Sequence, residues 1–208
     1  RRASSREVRR CRQRGAPPRR PTLARRADAF VGRAVPQQPC ELARRVAPGL
    51  FRNVHLMMTR PDLYLEAFAR AGAQTIQVHV EADCDLHAEL ARIRALGLRA
   101  GLVLNPETPA GRVFPYLKAC DELLVMTVHP GYGGQTFIAD CLAKVTAVRA
   151  RAPHLDVMVD GGVNAETAVL AARAGANQFV AGSYLFRQAD MAAAVAALRA
   201  ACAAALPA

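Results

Sequence analysis

No two cysteines of this 208-residue chain stand in a CxxC pair: Cys11, Cys40, Cys84, Cys120, Cys141 and Cys202 are widely spaced. That spacing is uninformative about metals, and scattered thiols suit a reducing compartment, which makes the cytoplasm the expected location. The first 53 residues hold no lysine and only three acids, Glu7, Asp28 and Glu41, beside fifteen arginines. They have no apolar run long enough for a signal peptide or a membrane span. No period of two or 3.6 survives Pro17, Pro18, Pro21, Pro36 and Pro39. Aromatic interleaving, which a nucleic-acid surface would use, is missing beyond Phe30 and Phe51.

What charge there is divides the chain. The formal net charge is +11, yet residues 54–208 carry thirteen basic side chains and fourteen acids. The basic excess therefore sits wholly in the first quarter, and the remainder reads as a near-neutral globular unit that does not ask for a nucleic-acid partner. Like-charge crowding with few apolar residues predicts residues 1–53 to be poorly ordered. Three origins of that segment stay open: an Arg-rich organellar targeting peptide, a genuine replacement, or a GC-rich gene read out of frame before Val54. The expected division is residues 1–53 and a folded unit of residues 54–208.

From Asn53 onward, strand and helix patterns alternate. Strands are expected at Asn53–Met57, Thr75–Val80, Leu98–Leu104, Leu123–Val128, near Val157 and near Gln178. Helices are expected at Pro61–Ala71, Leu86–Leu96 (stopped by Gly97), Thr108–Ala119, Phe137–Ala150, Glu166–Arg173 and from about Asp190. Six strand–helix units of this kind predict an α/β fold with a parallel sheet. A closed eight-unit barrel needs two more, and the Arg-rich quarter occupies their place.

Three of the strands run into glycine. Met126–Ile138 reads MTVHPGYGGQTFI, Val157–Asn164 reads VMVDGGVN, and Phe179–Phe186 reads FVAGSYLF. One such run alone is equally a plain tight turn. Three in succession, each followed by a helical pattern, are how a parallel barrel presents backbone N–H groups to a phosphate. Asp160 ends the second of these strands; an N-cap or turn role is its bland reading, and a carboxylate at that end of a barrel strand reads as catalytic. His55 lies in VHLMM. A lone strand histidine is commonly a hydrogen-bonded core residue, as His79 in VHVEA is taken to be. Facing Asp160 across a barrel mouth, His55 becomes a ligand for one divalent ion of the zinc, iron(II), manganese or cobalt kind. Met57 and Met126 would be cavity walls, with core packing as their default.

VHLMM, VHVEAD, LVLNPETP, MTVHPGYGGQTFI, VDGGVN and VAGS, in this order and spacing, resemble the ribulose-phosphate 3-epimerase family from about residue 54 onward. The resemblance implies a (β/α)8 TIM barrel, here with the first two βα units missing or replaced. It implies interconversion of ribulose 5-phosphate and xylulose 5-phosphate through an enediolate, with no membrane partner; the strand edge an incomplete barrel exposes makes a homo-oligomer the expectation. Matched by position, His55 and Asp160 bind the metal and Asp160 also moves a proton. Gly131, Tyr132, Gly133, Gly134, Gly161, Gly162, Gly182 and Ser183 hold the sugar phosphate with His55 and Asp160, and Met57 and Met126 line the cavity. His129 and Tyr132 stand where the family commonly shows Asn and Phe.

The resemblance fails upstream of His55. The family's first-strand Ser and its second-strand His and Asp, in a strand ending Met-Asp-Gly, have no counterpart; Asp28 lies near the right place without the His or the apolar strand. One proton shuttle and two of four metal ligands predict weak metal binding and slow or no turnover. Two other readings share the motifs: an epimerase of a hexulose 6-phosphate, and a phosphate-binding barrel remnant without catalysis.

Overall fold

A computed structural model describes residues 37–131 and 134–205 of the chain. The region around Asp28, with the rest of residues 1–36, lies outside them, as do Tyr132 and Gly133. Six strands, β1 (Asn53–Leu56), β2 (Thr75–His79), β3 (Arg99–Leu104), β4 (Glu122–Met126), β5 (Asp156–Asp160) and β6 (Gln178–Val180), pair in sequence order. Every pair is parallel. The α-helices among the described residues are α1 (Gln38–Val46), α2 (Leu65–Ala71), α3 (Leu86–Ala95), α4 (Leu142–Arg151), α5 (Ala165–Ala174), α6 (Gly182–Leu185) and α7 (Met191–Ala205). The result is an incomplete barrel: among the described residues β1 and β6 are open edges.

Strands β2 and β4 are buried along their whole length because both faces are covered. Side chains alternate between the faces. Leu123, Val125, Val157 and Val159 join the large core beneath the helices. Their neighbours Leu124, Met126 and Met158 form a second cluster with Val103 and Val128 on the other, concave face. Helix starts follow local chemistry. Asp85 accepts hydrogen bonds from the amides of His87 and Ala88 at the start of α3. Asn164 and Thr167 cap α5 reciprocally, each side chain bonding the other's backbone N–H.

Three expectations change. The proline-broken stretch before Asn53 contains α1, since Pro39 falls in the first turn, where its missing N–H costs nothing. No α1 side chain is buried. Arginines fasten this region instead: Arg44 donates to the Arg70 carbonyl, and Arg52 donates to those of Gly72, Pro48 and Leu50. The helix expected over Thr108–Ala119 is two single 3-10 turns, Ala110–Arg112 and Phe114–Tyr116. Pro115 lacks the N–H an α-helix would use and disfavours helical backbone at Phe114. The helix expected from Phe137 begins later, with a 3-10 turn at Ala139 and then α4, because the Ile138 amide is committed to the Thr127 carbonyl at 2.8 Å.

The amino-terminal floor of the concave face is polar. Glu122, 1% exposed, accepts at 2.5 Å from both Asn53 Nδ2 and Gln77 Nε2. Arg99 lies 3.8 Å from the same carboxylate and 2.5 Å from Asp156. Replacing Glu122 by Leu strips two buried amides of their acceptor. Glu122→Leu is expected to lower the unfolding free energy by about 2–4 kcal/mol in urea titration. Adding Gln77→Leu should return part of that loss.

Candidate active site

Side-chain parity decides which residues meet. Asn53 on β1 reaches Glu122 on β4, and Gln77 on β2 reaches the sulfur of Met158 on β5 at 3.7 Å, so all four face the concave side. One or two alternations further along the same strands lie His55, His79, Met126 and Asp160. His55 and Asp160 thus share one face, near the carboxyl ends of their strands. The ladder levels those ends, pairing Met126 with Asp160 and Asp160 with Val180.

A cavity of about 320 Å³ opens there. The glycine turns converge on it: Gly131 and Gly134 after β4, Gly161 and Gly162 after β5, and Gly182 with Ser183 after β6. Met57, Met126 and Asp160 complete the wall. Val128 and Gln135, which the sequence reading passes over, join it, as does His129, noted there only as a departure from the family. His55 lies on the same face and is not among the residues that line the cavity. Tyr132 and Gly133 belong to the turn between Gly131 and Gly134 and lie outside the described residues.

The β5 turn is glycine for steric reasons. Gly161 has φ +115°, and a Cβ there would collide with the Val128 side chain. Gly162 has φ +66°, and a Cβ would lie 2.7 Å from the Phe137 nitrogen. Thr127, fully buried, closes the junction: its hydroxyl donates to the carbonyls of Asp160 and Gly161 at 2.9 and 2.6 Å, and its amide donates to Asp160 at 2.8 Å. Sequence reasoning passes over Thr127, because only the β4–β5 register shows what its hydroxyl meets.

This geometry has known relatives. The profile of the ribulose-phosphate 3 epimerase family matches residues 37–186, a range that takes in α1. Ribulose-phosphate 3-epimerase of Bacillus subtilis is 45% identical over 152 residues, 71% of this chain and 70% of that protein. The cytoplasmic isoform from rice is 44% identical over 153 residues, 72% of this chain and 67% of that protein. The chain belongs to the ribulose-phosphate 3-epimerase family. Solved structures show the same fold at low identity. The 3-hexulose-6-phosphate synthase from Salmonella typhimurium has a TM-score of 0.65 at 18% identity, covering 81% of each chain. The 3-keto-L-gulonate-6-phosphate decarboxylase from Vibrio cholerae has a TM-score of 0.67 at 18% identity, covering 82% of this chain and 80% of that one.

Family membership makes this an isomerase-class chain, and relatives named for ribulose phosphate favour a pentose over a hexulose phosphate. Asp160 is half-buried at the cavity wall, and burial alone pushes its carboxyl above the ordinary 3.8. Burial first, and then the neighbouring His79, hold the His55 imidazole well below its usual pKa, so it is neutral. His55 Nδ1 is buried with no hydrogen-bond partner among the described residues. An imidazole nitrogen and a carboxylate are donors that a borderline divalent cation accepts, so the two fit such an ion in kind. In number they fall short: among the described residues no group of three or more His, Cys, Asp or Glu could hold a metal.

Two outcomes follow from this geometry. Gly162→Ala is expected to lose roughly 1–3 kcal/mol of stability in thermal or urea unfolding. Gly182→Ala, where an added Cβ meets nothing within 4 Å, should unfold like the parent. The second outcome concerns Asp160. Its raised pKa means the folded chain holds that proton more tightly than the unfolded chain. The resulting stabilisation is complete below pH 3.8 and is lost as the pH rises through the folded-state value. Asp160→Asn is therefore expected to melt at a higher temperature than the parent near neutral pH, and calorimetry should show no such advantage below pH 3.8.

Proposed function

We propose that this chain binds a ketopentose phosphate in the cavity at the ends of β4, β5 and β6 and inverts its C3 with Asp160 as a proton-transfer group. The observation that carries the reading is the convergence of three glycine turns and a buried carboxylate on one cavity. The turns leave room for backbone N–H groups to approach a phosphate, which orients the sugar and makes no bonds itself. Asp160, ionised, takes the C3 proton, leaving an enediolate. Its raised pKa suits it to hand a proton back, since a base poised nearer the working pH serves both directions. Met57 and Met126 wall the reacting carbons from water.

His55 and Asp160 would hold a divalent cation of the zinc, iron(II), manganese or cobalt kind. When bound, such an ion supplies Lewis-acid stabilisation of developing oxyanion charge. Asp160 and His129 are the titratable side chains lining the described cavity wall, and inversion needs a proton group on each face of the sugar. Turnover is accordingly expected to be slow beside the Bacillus subtilis relative.

Open strand edges at β1 and β6 support a homo-oligomer. Among the described residues no helix is long and apolar enough to cross a membrane, which with the cytoplasmic rice relative supports a cytoplasmic location. Arginine crowding falls on residues 1–53, and no arginine lines the described cavity wall, so nucleic acid has no part in this reading.

A coupled assay of xylulose 5-phosphate formation, with each metal added in turn, tests the function. Detectable turnover should drop by about 10²–10⁴-fold in Asp160→Asn. Turnover unaffected by that change, or binding of ribulose 5-phosphate without turnover under every metal, would overturn it. A faster rate with a hexulose 6-phosphate would reassign the substrate.

A further inference from the structure

The concave face holds a chain of polar groups that runs outward from His55 to residues with no part in the proposed reaction. His55 Nε2 on β1 lies 2.7 Å from His79 Nε2 on β2, with the rings stacked at a 4.8 Å centroid separation and 29° between planes. At that distance one proton lies between the two nitrogens, since two lone pairs or two N–H groups would repel. On the far side of the second ring, His79 Nδ1 is 3.3 Å from Glu81 Oε2. The other oxygen of Glu81 accepts from the Asn105 amide at 3.2 Å.

The order of these bonds starts at the outer end, with Glu81. Burial pushes the Glu81 carboxyl up, but hydrogen bonds from His79, Thr108 and the Asn105 amide outweigh it and hold it below its ordinary range. Glu81 is therefore a carboxylate, which can only accept. His79 must donate from Nδ1, and when that is its single ring proton its lone pair lies on Nε2. That lone pair accepts the Nε2–H of His55. A neutral His55 with its proton on Nε2 has a bare lone pair on Nδ1, the buried atom without a partner among the described residues.

We propose that Glu81 and His79 are positioning residues that fix His55 in the Nε2–H tautomer and so present its Nδ1 lone pair to a divalent cation. The claim rests on the proposed metal-assisted reading. Ligand histidines commonly donate their other ring N–H to a carboxylate or carbonyl, which sets ring orientation and raises basicity. Here the carboxylate acts one ring further out, through His79.

Ring-nitrogen correlation spectra of the full chain, labelled with ¹⁵N-histidine and assigned with His55→Gln and His79→Gln, read the tautomers without added metal. The expected pattern is a proton on Nε2 of His55 and on Nδ1 of His79. A proton on Nδ1 of His55 would overturn the proposal whatever the metal affinity. Mn²⁺ titration then tests the consequence. Glu81→Gln, whose amide can donate to His79 and reverse the order, is expected to weaken Mn²⁺ binding roughly 10–100-fold, with Glu81→Asp recovering part of the loss. If His55→Ala abolishes Mn²⁺ binding and Glu81→Gln binds like the parent, the positioning claim fails alone. If His55→Ala leaves Mn²⁺ binding unchanged, the metal reading beneath it fails as well.

Discussion

Everything at the cavity depends on the parallel ladder between β4, β5 and β6. Its register pairs Met126, Asp160 and Val180 across three strands, so their carboxyl ends finish level with one another. The turns that follow then have no choice but to meet. Slipping any one of these strands by a single residue would send Asp160 or Met126 to the helix-covered face. The ladder resists such a slip because the two faces carry different loads: Val157 and Val159 pack beneath helices, whereas Met158 packs against Val103, Leu124 and Met126.

That rigidity lets the site hold groups that are unfavourable in themselves. Asp160 sits where burial opposes its charge and nothing among the described residues offsets it. His55 is held neutral with one ring nitrogen unpartnered among them. Gly161 and Gly162 adopt left-handed backbone against Val128 and Phe137. None of these helps the fold. Thr127 and the capped start of α5 fasten the same loop by bonding the carbonyls of Asp160, Gly161 and Gly162. The local strain is thereby confined to the turn and does not pull the strand end out of register.

Much of this was legible in the sequence, for definable reasons. Strand positions follow from β-branched runs bounded by turn residues, and the three glycine turns announce themselves by composition. Asp160 stands out because a carboxylate follows a buried strand directly. What stayed hidden depends on partners distant in sequence. His79 looks like any strand histidine until the β1–β2 register sets its ring against His55, a residue 24 positions away. Thr127 is one more β-branched residue until β5 lies beside it. Helix α1 buries no side chain, and its Arg44 bonds a backbone carbonyl, which hydropathy does not register. Pro115 was readable as a helix breaker, and the apolar pattern around it concealed that.

The open edges and the half-complete donor set have a single cause. In a parallel barrel the residues that face a bound sugar come from the ends of several different strands, so removing strands removes site residues in the same stroke. Six strands supply the glycine turns and one carboxylate because those come from β4, β5 and β6. They bring His55, His79 and Glu81 into contact because β1, β2 and the Asn105 turn after β3 are all present and adjacent. What they do not supply among the described residues is a donor opposite Asp160, on the side where β1 ends the sheet. Under the proposed reading, phosphate recognition and the tautomer of His55 are therefore properties of the strands present, whereas the rate of inversion depends on what lies beside β1.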